Sequence, residues 1–456
     1  MAGISLPLRS LLGSRSFLAQ AAGYAYSALA MAGPWLLTSF HMLLLGRLDL
    51  PGITLADLQA FQSVVLYSYG GSMVLTGLLQ LPAARHLSDR LFVKDRAAVV
   101  PSFTGTAILS LVLHAAAGMV AVILLRPPPA LAIAEGALLG SVGFVSTGMI
   151  FLGVLRSFPV ILGAFVVGIG TALTLSRFLG PALGLPGLVA GFAAGHGLIG
   201  AVFLSRLRAE FPASGPWAFG VLSTAARRPA LIVIGLATAA AIWVDKVVFW
   251  ASPWAVRTAA GLWTCPLYDN GFFLASFTVI PALVVIFVRL EGSFHDKYAQ
   301  FYEQLRRGAD LQSIRAGRAE IVESFLATLL RIAVIQGMVT MAAILLAPLI
   351  VQHLGLDWIS FYVFRAACLG VYVQMLALAV LLSAVHLALY RVAVTVSLIH
   401  FAANAAGAWA TRLAGPEYLG FGAVAAGALA LAVGYPWVRS ILSNLERHTF
   451  MGQVGA

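Results

Sequence analysis

Cysteine is almost missing from this chain, for Cys265 and Cys368 are the only two in 456 residues. Two thiols build neither a disulfide framework nor a cysteine-based metal site, so both read as packing residues. Charge is scarce as well. Only 10% of residues are Asp, Glu, Lys or Arg, against 61% hydrophobic and a mean hydropathy of +0.94, a balance that no soluble domain has. Also missing are a GxxxxGK[ST] phosphate loop, an HExxH or other metal spacing, and a polar segment large enough for a nucleotide-sugar transferase. No catalytic residue, cofactor or metal is therefore expected, and His41, His114, His196, His386 and His400 read mostly as hydrogen-bonded core residues. Without that phosphate loop the chain cannot hydrolyse ATP by that route.

What the chain does have is a succession of long apolar stretches separated by short gaps. A helix needs roughly 20 apolar residues to cross a hydrocarbon core of about 30 Å, because lipid offers the backbone no hydrogen-bond partner. Crossings are predicted near 17–46, 61–82, 99–125, 130–154, 159–176 and 186–204, then near 230–250, 271–288, 325–349, 359–387, 392–410 and 421–438. The first follows Arg9 and Arg15 and carries small residues at Ala19-Gln20-Ala21, as a cleaved signal would. Too few apolar residues precede that point and the run continues too far beyond it, so it reads as a retained helix.

The basic residues sort by gap. With the N-terminus inside, the cytoplasmic segments hold 20 of them and the outer gaps five, namely Arg47, Arg126, Arg177, Arg257 and Arg412. That bias predicts both termini in the cytoplasm, and it accounts for the net charge of +11 better than nucleic-acid binding does. The polar gap at 206–229 divides the crossings six and six. An all-α, two-lobed membrane protein follows, with an N-terminal lobe at 1–208, a cytoplasmic linker at 209–229 and a C-terminal lobe at 230–456. Glycines inside the helices read as close-packing sites, and Pro34 as a bend in the first helix.

Charges within the crossings are expected to serve a cavity or gate, since each costs at least about 2.5–3.5 kcal/mol in lipid. From the helical rise, Asp245, Lys246, Glu135 and Arg365 share a level roughly 8 Å from the outer surface. Asp245 and Lys246 point about 100° apart on one helix, which favours partners elsewhere: Arg365 for Asp245, Glu135 for Lys246. A static packing bridge is the plainer alternative. Arg331 lies near the inner surface, where it can snorkel. The cytoplasmic loop at 289–324 is amphipathic. Phe294, Tyr298, Phe301, Tyr302 and Leu305 recur at helical spacing, as in a helix lying in the membrane interface. Arg306, Arg307, Arg315 and Arg318 add a basic surface suited to docking a partner.

Taken together, Met1-Ala2-Gly3-Ile4 with Leu8-Arg9, Ala32-Gly33-Pro34-Trp35, Asp245-Lys246 with Phe249-Trp250, Ser252-Pro253, and Tyr268-Asp269 to Phe272-Leu274 resemble the Pel exopolysaccharide transporter family. The run from Arg289-Leu290-Glu291 through Phe294, Tyr298, Phe301-Tyr302, Arg306, Gly308, Leu311, Ile314, Arg318 and Glu320 is similar to that family's cytoplasmic loop. Residues 5–10 depart from it, reading Ser-Leu-Pro-Leu-Arg-Ser where a glycine, an acid and a lysine are expected. The resemblance implies the multidrug/oligosaccharidyl-lipid/polysaccharide flippase (MATE-like) fold in the bacterial inner membrane. It also implies export of an N-acetylhexosamine-rich biofilm polymer, with a cytosolic glycosyltransferase and small membrane subunits as partners beside the membrane lipid. Asp269, inside the Tyr268-Asp269 match, joins the cavity or gate set. The rival readings are a flippase of a lipid-linked oligosaccharide, a drug or cation antiporter of the same fold, a membrane-embedded glycosyl- or acyltransferase, and a non-transporting scaffold.

Overall fold

The computed structural model describes residues 16–212 and 215–446. The matches at Met1–Ile4 and Leu8–Arg9, Arg15 and the departure at 5–10 lie outside the described residues. Twelve spans among the described residues are long and apolar enough to cross a membrane. They are built from α1 (Phe17–Leu45), α2 (Leu55–Phe92), α3 (Val99–Leu125), α4 (Pro129–Val154), α5 (Phe158–Leu183) and α6 (Leu185–Glu210), and, after the short α7 (Gly220–Arg227), from α8 (Ala230–Trp250), the broken span of α9 (Pro266–Ser276) and α10 (Ile280–Val288), and, beyond the short α11 (His295–Arg306), α12 (Leu311–His353), α13 (Trp358–His386), α14 (Tyr390–Ala414) and α15 (Phe421–Ser443).

Local chemistry sets the ends of these helices. Thr54 and Asp57 form a reciprocal capping box at the start of α2, at 3.2 and 2.9 Å. Asp310 caps α12 through the Ser313 N–H at 2.9 Å, and the Ser313 hydroxyl together with that N–H holds its carboxyl below the usual range. Pro281 falls in the first turn of α10, after a 3-10 break at Phe277–Val279, where a missing N–H costs nothing.

The chain forms two compact units. One comprises the described residues up to Met31, Val244–Phe249 and the chain from Pro266 onward; the other comprises Ala32–Trp243 and Trp250–Cys265. This division differs from lobes at 1–208 and 230–456, because it passes through α1 and α8. In the second unit, α5 and α6 approach closely through Gly168, Gly191 and Gly195. A Cβ on Gly191 would lie 2.4 Å from the Ser176 nitrogen, and one on Gly195 2.4 Å from the Gly168 oxygen. The same unit holds a two-stranded hairpin, Val256–Arg257 with Trp263–Thr264, tied to α2 by the Tyr67 hydroxyl on the Trp263 oxygen at 2.7 Å. No apolar periodicity announces so short a pair.

Two parts of the sequence reading need correction. The 209–229 segment is not a plain linker: it contains α7, the Ala218 N–H donates to the Pro101 oxygen at 2.8 Å, and Thr224 meets His86 at 3.3 Å. Nor does a loop extend to residue 324. Leu311 onward is the start of a 43-residue helix that continues into the ninth crossing. At the turn before it, Gly308 takes φ +67° and folds α11 back onto α12. Phe294 and Phe301 are then 1% and 0% exposed, with Phe301 and Gln304 lying against Gly317. Two rings of the face expected to enter lipid are instead covered by protein, Phe301 because glycine at 317 leaves it room, while Tyr298, Tyr302 and Leu305 stay half-buried.

Candidate functional site

In the first unit, α8 and α9 bring together the charges that the sequence singles out. Asp245 is 2% exposed and Lys246 8%. The Asp245 carboxylate accepts the Lys246 backbone N–H at 2.8 Å, receives the Lys246 ammonium at 3.4 Å, and takes a short hydrogen bond from the Tyr268 hydroxyl. The ammonium also lies 3.6 Å from the centre of the Phe272 ring. Tyr268 is fully buried, its ring 4.3 Å from Phe249. Opposite charges, an aromatic face and a phenol therefore enclose one another away from lipid.

This geometry overturns the expectation that Asp245 and Lys246 fail to satisfy each other. Their Cβ atoms diverge, but the four-carbon stem of lysine folds back to the carboxylate, and Asp245 also accepts the next residue's own N–H. Arg365 is exposed on α13 with its guanidinium 5.1 Å from the Phe361 ring, so the carboxylate expected to hold it is engaged elsewhere. Asp269 is half-buried on the first turn of α9, beside Tyr268. Arg331 is exposed on α12. Glu135 belongs to the second unit, half-buried on α4.

The docking arginines also separate. Arg306 and Arg307 have side chains 78% exposed and both reach Glu303, Arg307 at 2.8 Å. The Arg307 hydrogen bond, with Arg306 beside it, holds the Glu303 carboxyl below the usual range. Arg315 is exposed. Arg318 is engaged within the chain through one guanidinium nitrogen, which donates to the Ser443 oxygen at 3.0 Å and to Glu446 at 3.1 Å, so it is less free than Arg306, Arg307 and Arg315.

Sequence reasoning missed Gln336 and Thr340, and it named the histidines only as hydrogen-bonded core residues. Gln336 on α12 is fully buried with neither amide atom hydrogen-bonded among the described residues, and the Thr340 hydroxyl one turn later is likewise unpartnered. His400 on α14 is half-buried, with Nε2 unpartnered among the described residues. In the second unit, Tyr69 links His196 to Thr38, and His114 meets Ser72 at 2.9 Å. These satisfy the expectation for His114 and His196. His41, between Phe61 and Phe192, has no hydrogen-bond partner among the described residues. Single Gln or His residues in apolar runs carry no spacing signal, so only packing marks them.

A buried, internally neutralised charge cluster in a twelve-span chain fits a transporter core. The deciding comparison is a family model described as "Putative exopolysaccharide Exporter (EPS-E)", PelG, which matches residues 1–450. The chain belongs to the PelG family. No curated protein matches. Among solved structures, the chain is similar to an outward-facing multidrug resistance MATE family transporter of the MOP superfamily, at TM-score 0.68 and 14% identity over 97% of this chain and 99% of that one. It is also similar to a MATE protein in the straight conformation, at TM-score 0.63 and 14% identity over 97% and 99%. An inward-facing MATE transporter aligns at TM-score 0.58 and 12% identity over 97% of each chain. At such identities the likeness shows the fold alone. This PelG-family chain is thus a multi-pass membrane transporter with a MATE-like fold.

Proposed function

We propose that this PelG-family transporter exports Pel, an N-acetylhexosamine-rich polymer, outward across the bacterial inner membrane, with both termini in the cytoplasm. The observation that carries this reading is the family match over residues 1–450 of a chain holding twelve apolar spans. The crowding of arginine into alternate gaps supports the orientation. In the first unit Asp245, Lys246 and Tyr268 line or gate the polymer path, together with Arg365, Asp269 and Arg331; Glu135 is the candidate for that role in the second unit. Lipid would expel such charges unless protein or water received them. Pro34, whose carbonyl takes the Thr38 hydroxyl at 3.0 Å, bends α1 as access changes. Deleting the transporter while the synthase remains is expected to trap polymer in the cytoplasm; wild-type amounts of polymer outside the cell would overturn the reading.

Arg306, Arg307 and Arg315 form the docking surface for the cytosolic glycosyltransferase, and the small membrane subunits complete the assembly. Exposure supports this role, since surface ion pairs such as those to Glu303 hold their charges weakly and yield easily to a partner. Replacing all three by glutamate is expected to leave membrane insertion intact while abolishing co-purification of the transferase. Unchanged recovery would assign the surface to solvent alone.

A further inference from the structure

The first unit contains a groove that the export reading leaves unused. It has a volume of about 1060 Å³ and runs between α12, α13 and α15. Its walls are small and aliphatic, with Leu326, Ala327, Ala333, Leu376, Ala428 and Ala432 among them. From Val322 to Ala333 the wall on α12 rises roughly 16 Å, and the hydrocarbon half-thickness of a bilayer is about 15 Å. The apolar part is therefore one leaflet deep.

One end of the groove is polar. Arg318, Glu323 and Ser443 line it, where α12 begins and α15 ends. Glu446 stands against Arg318 at 3.1 Å, and Arg439 reaches the hydroxyl of Tyr435, another lining residue, at 3.2 Å. Arg318 thus lies against Glu446 and shares this end of the groove with Glu323, so both signs of charge stand at or beside the mouth. A purely anionic headgroup would find repulsion there as well as attraction. A headgroup carrying one phosphate and one ammonium would find a counter-charge for each: arginine forks phosphate, and a carboxylate receives ammonium.

We propose that this groove is a binding site for one zwitterionic aminophospholipid, phosphatidylethanolamine, with an acyl chain along Leu326 to Ala333 and the headgroup between Arg318 and Glu323. Its depth matches a single leaflet, its walls offer a chain no hydrogen-bonding group to leave unsatisfied, and its mouth matches the charges of this lipid. Occupancy fills a space that would otherwise forfeit packing contacts along three helices. Such a site requires only membrane embedding and holds whatever polymer the protein moves.

The test uses the full chain, equilibrated with vesicles of phosphatidylethanolamine and phosphatidylglycerol in equal parts, extracted in mild detergent and weighed by native mass spectrometry. Retained lipid is expected to favour phosphatidylethanolamine by about tenfold, equivalent to about 1.4 kcal/mol. Ala432→Phe fills the groove and is expected to remove that retained lipid while keeping a monodisperse elution profile. Should that variant fail to fold, Glu323→Lys at an exposed position carries the test, with a preference reversed toward phosphatidylglycerol. Retention in the bulk ratio, preference for phosphatidylglycerol by the unmodified protein, undiminished retention by Ala432→Phe, or crosslinking of Ala432→Cys to a partner's transmembrane helix would each overturn the proposal.

Discussion

Asp245→Asn is expected to destabilise the transporter by about 3–5 kcal/mol, because it breaks a buried ion pair and takes from the Lys246 ammonium the carboxylate that it meets. The pair meets at 3.4 Å, with both residues under 9% exposed, so water cannot replace the lost carboxylate. A single substitution therefore costs far more than the pair contributes on balance. Asp245→Asn with Lys246→Met removes both charges and is expected to recover most of the loss, since a buried pair exchanged for apolar groups is often neutral. Thermal unfolding in detergent would show this directly: a double variant no more stable than Asp245→Asn would break the argument. Export separates packing from mechanism. If the charges work on the polymer path, the double variant folds but does not export; if they are a static bridge, export returns with stability.

Gly191→Val is expected to prevent stable folding of the second unit, a loss of at least about 3 kcal/mol, where ordinary overpacking costs about 1–3. The added Cβ would lie 2.4 Å from the Ser176 nitrogen and 2.8 Å from the Leu175 carbonyl carbon. Both are backbone atoms of α5, so no rotamer change relieves the clash and the helices must part. Control positions lie on the same two helices. A Cβ at Gly170 or Gly197 meets nothing within 4 Å, so alanine there is expected to be neutral or to stabilise by up to about 1 kcal/mol. The yield of monodisperse protein after extraction would rank the three variants; equal yields of Gly191→Val and Gly197→Ala would refute close packing as the reason for glycine at 191.

The apolar stretches determined the twelve spans independently of any packing, because the bilayer imposes one requirement, about 20 residues of self-satisfied backbone, that composition alone reports. Family membership was legible for a similar reason: ordered matches such as Asp245-Lys246 and Tyr268-Asp269 are properties of the chain, whatever its tertiary contacts. The sequence also located the charges inside the spans, since any charge there is conspicuous against Leu, Val and Ala. It could not pair them. Helix periodicity places Asp245 and Lys246 on different faces, and only the reach of the lysine stem, the Tyr268 hydroxyl and the Phe272 ring decided that they close on each other. The apolar face of α11 is a similar case. Amphipathicity says that a face will be covered, but Gly308 and Gly317 decided that protein covers its Phe301 ring. Gln336 and Thr340 carry no signal in a sequence, because a lone polar side chain acquires meaning only from the neighbours that satisfy it or leave it bare. Chain-local physics is written in the order of residues; pairing and covering depend on residues far apart in that order, and tertiary structure alone brings them together.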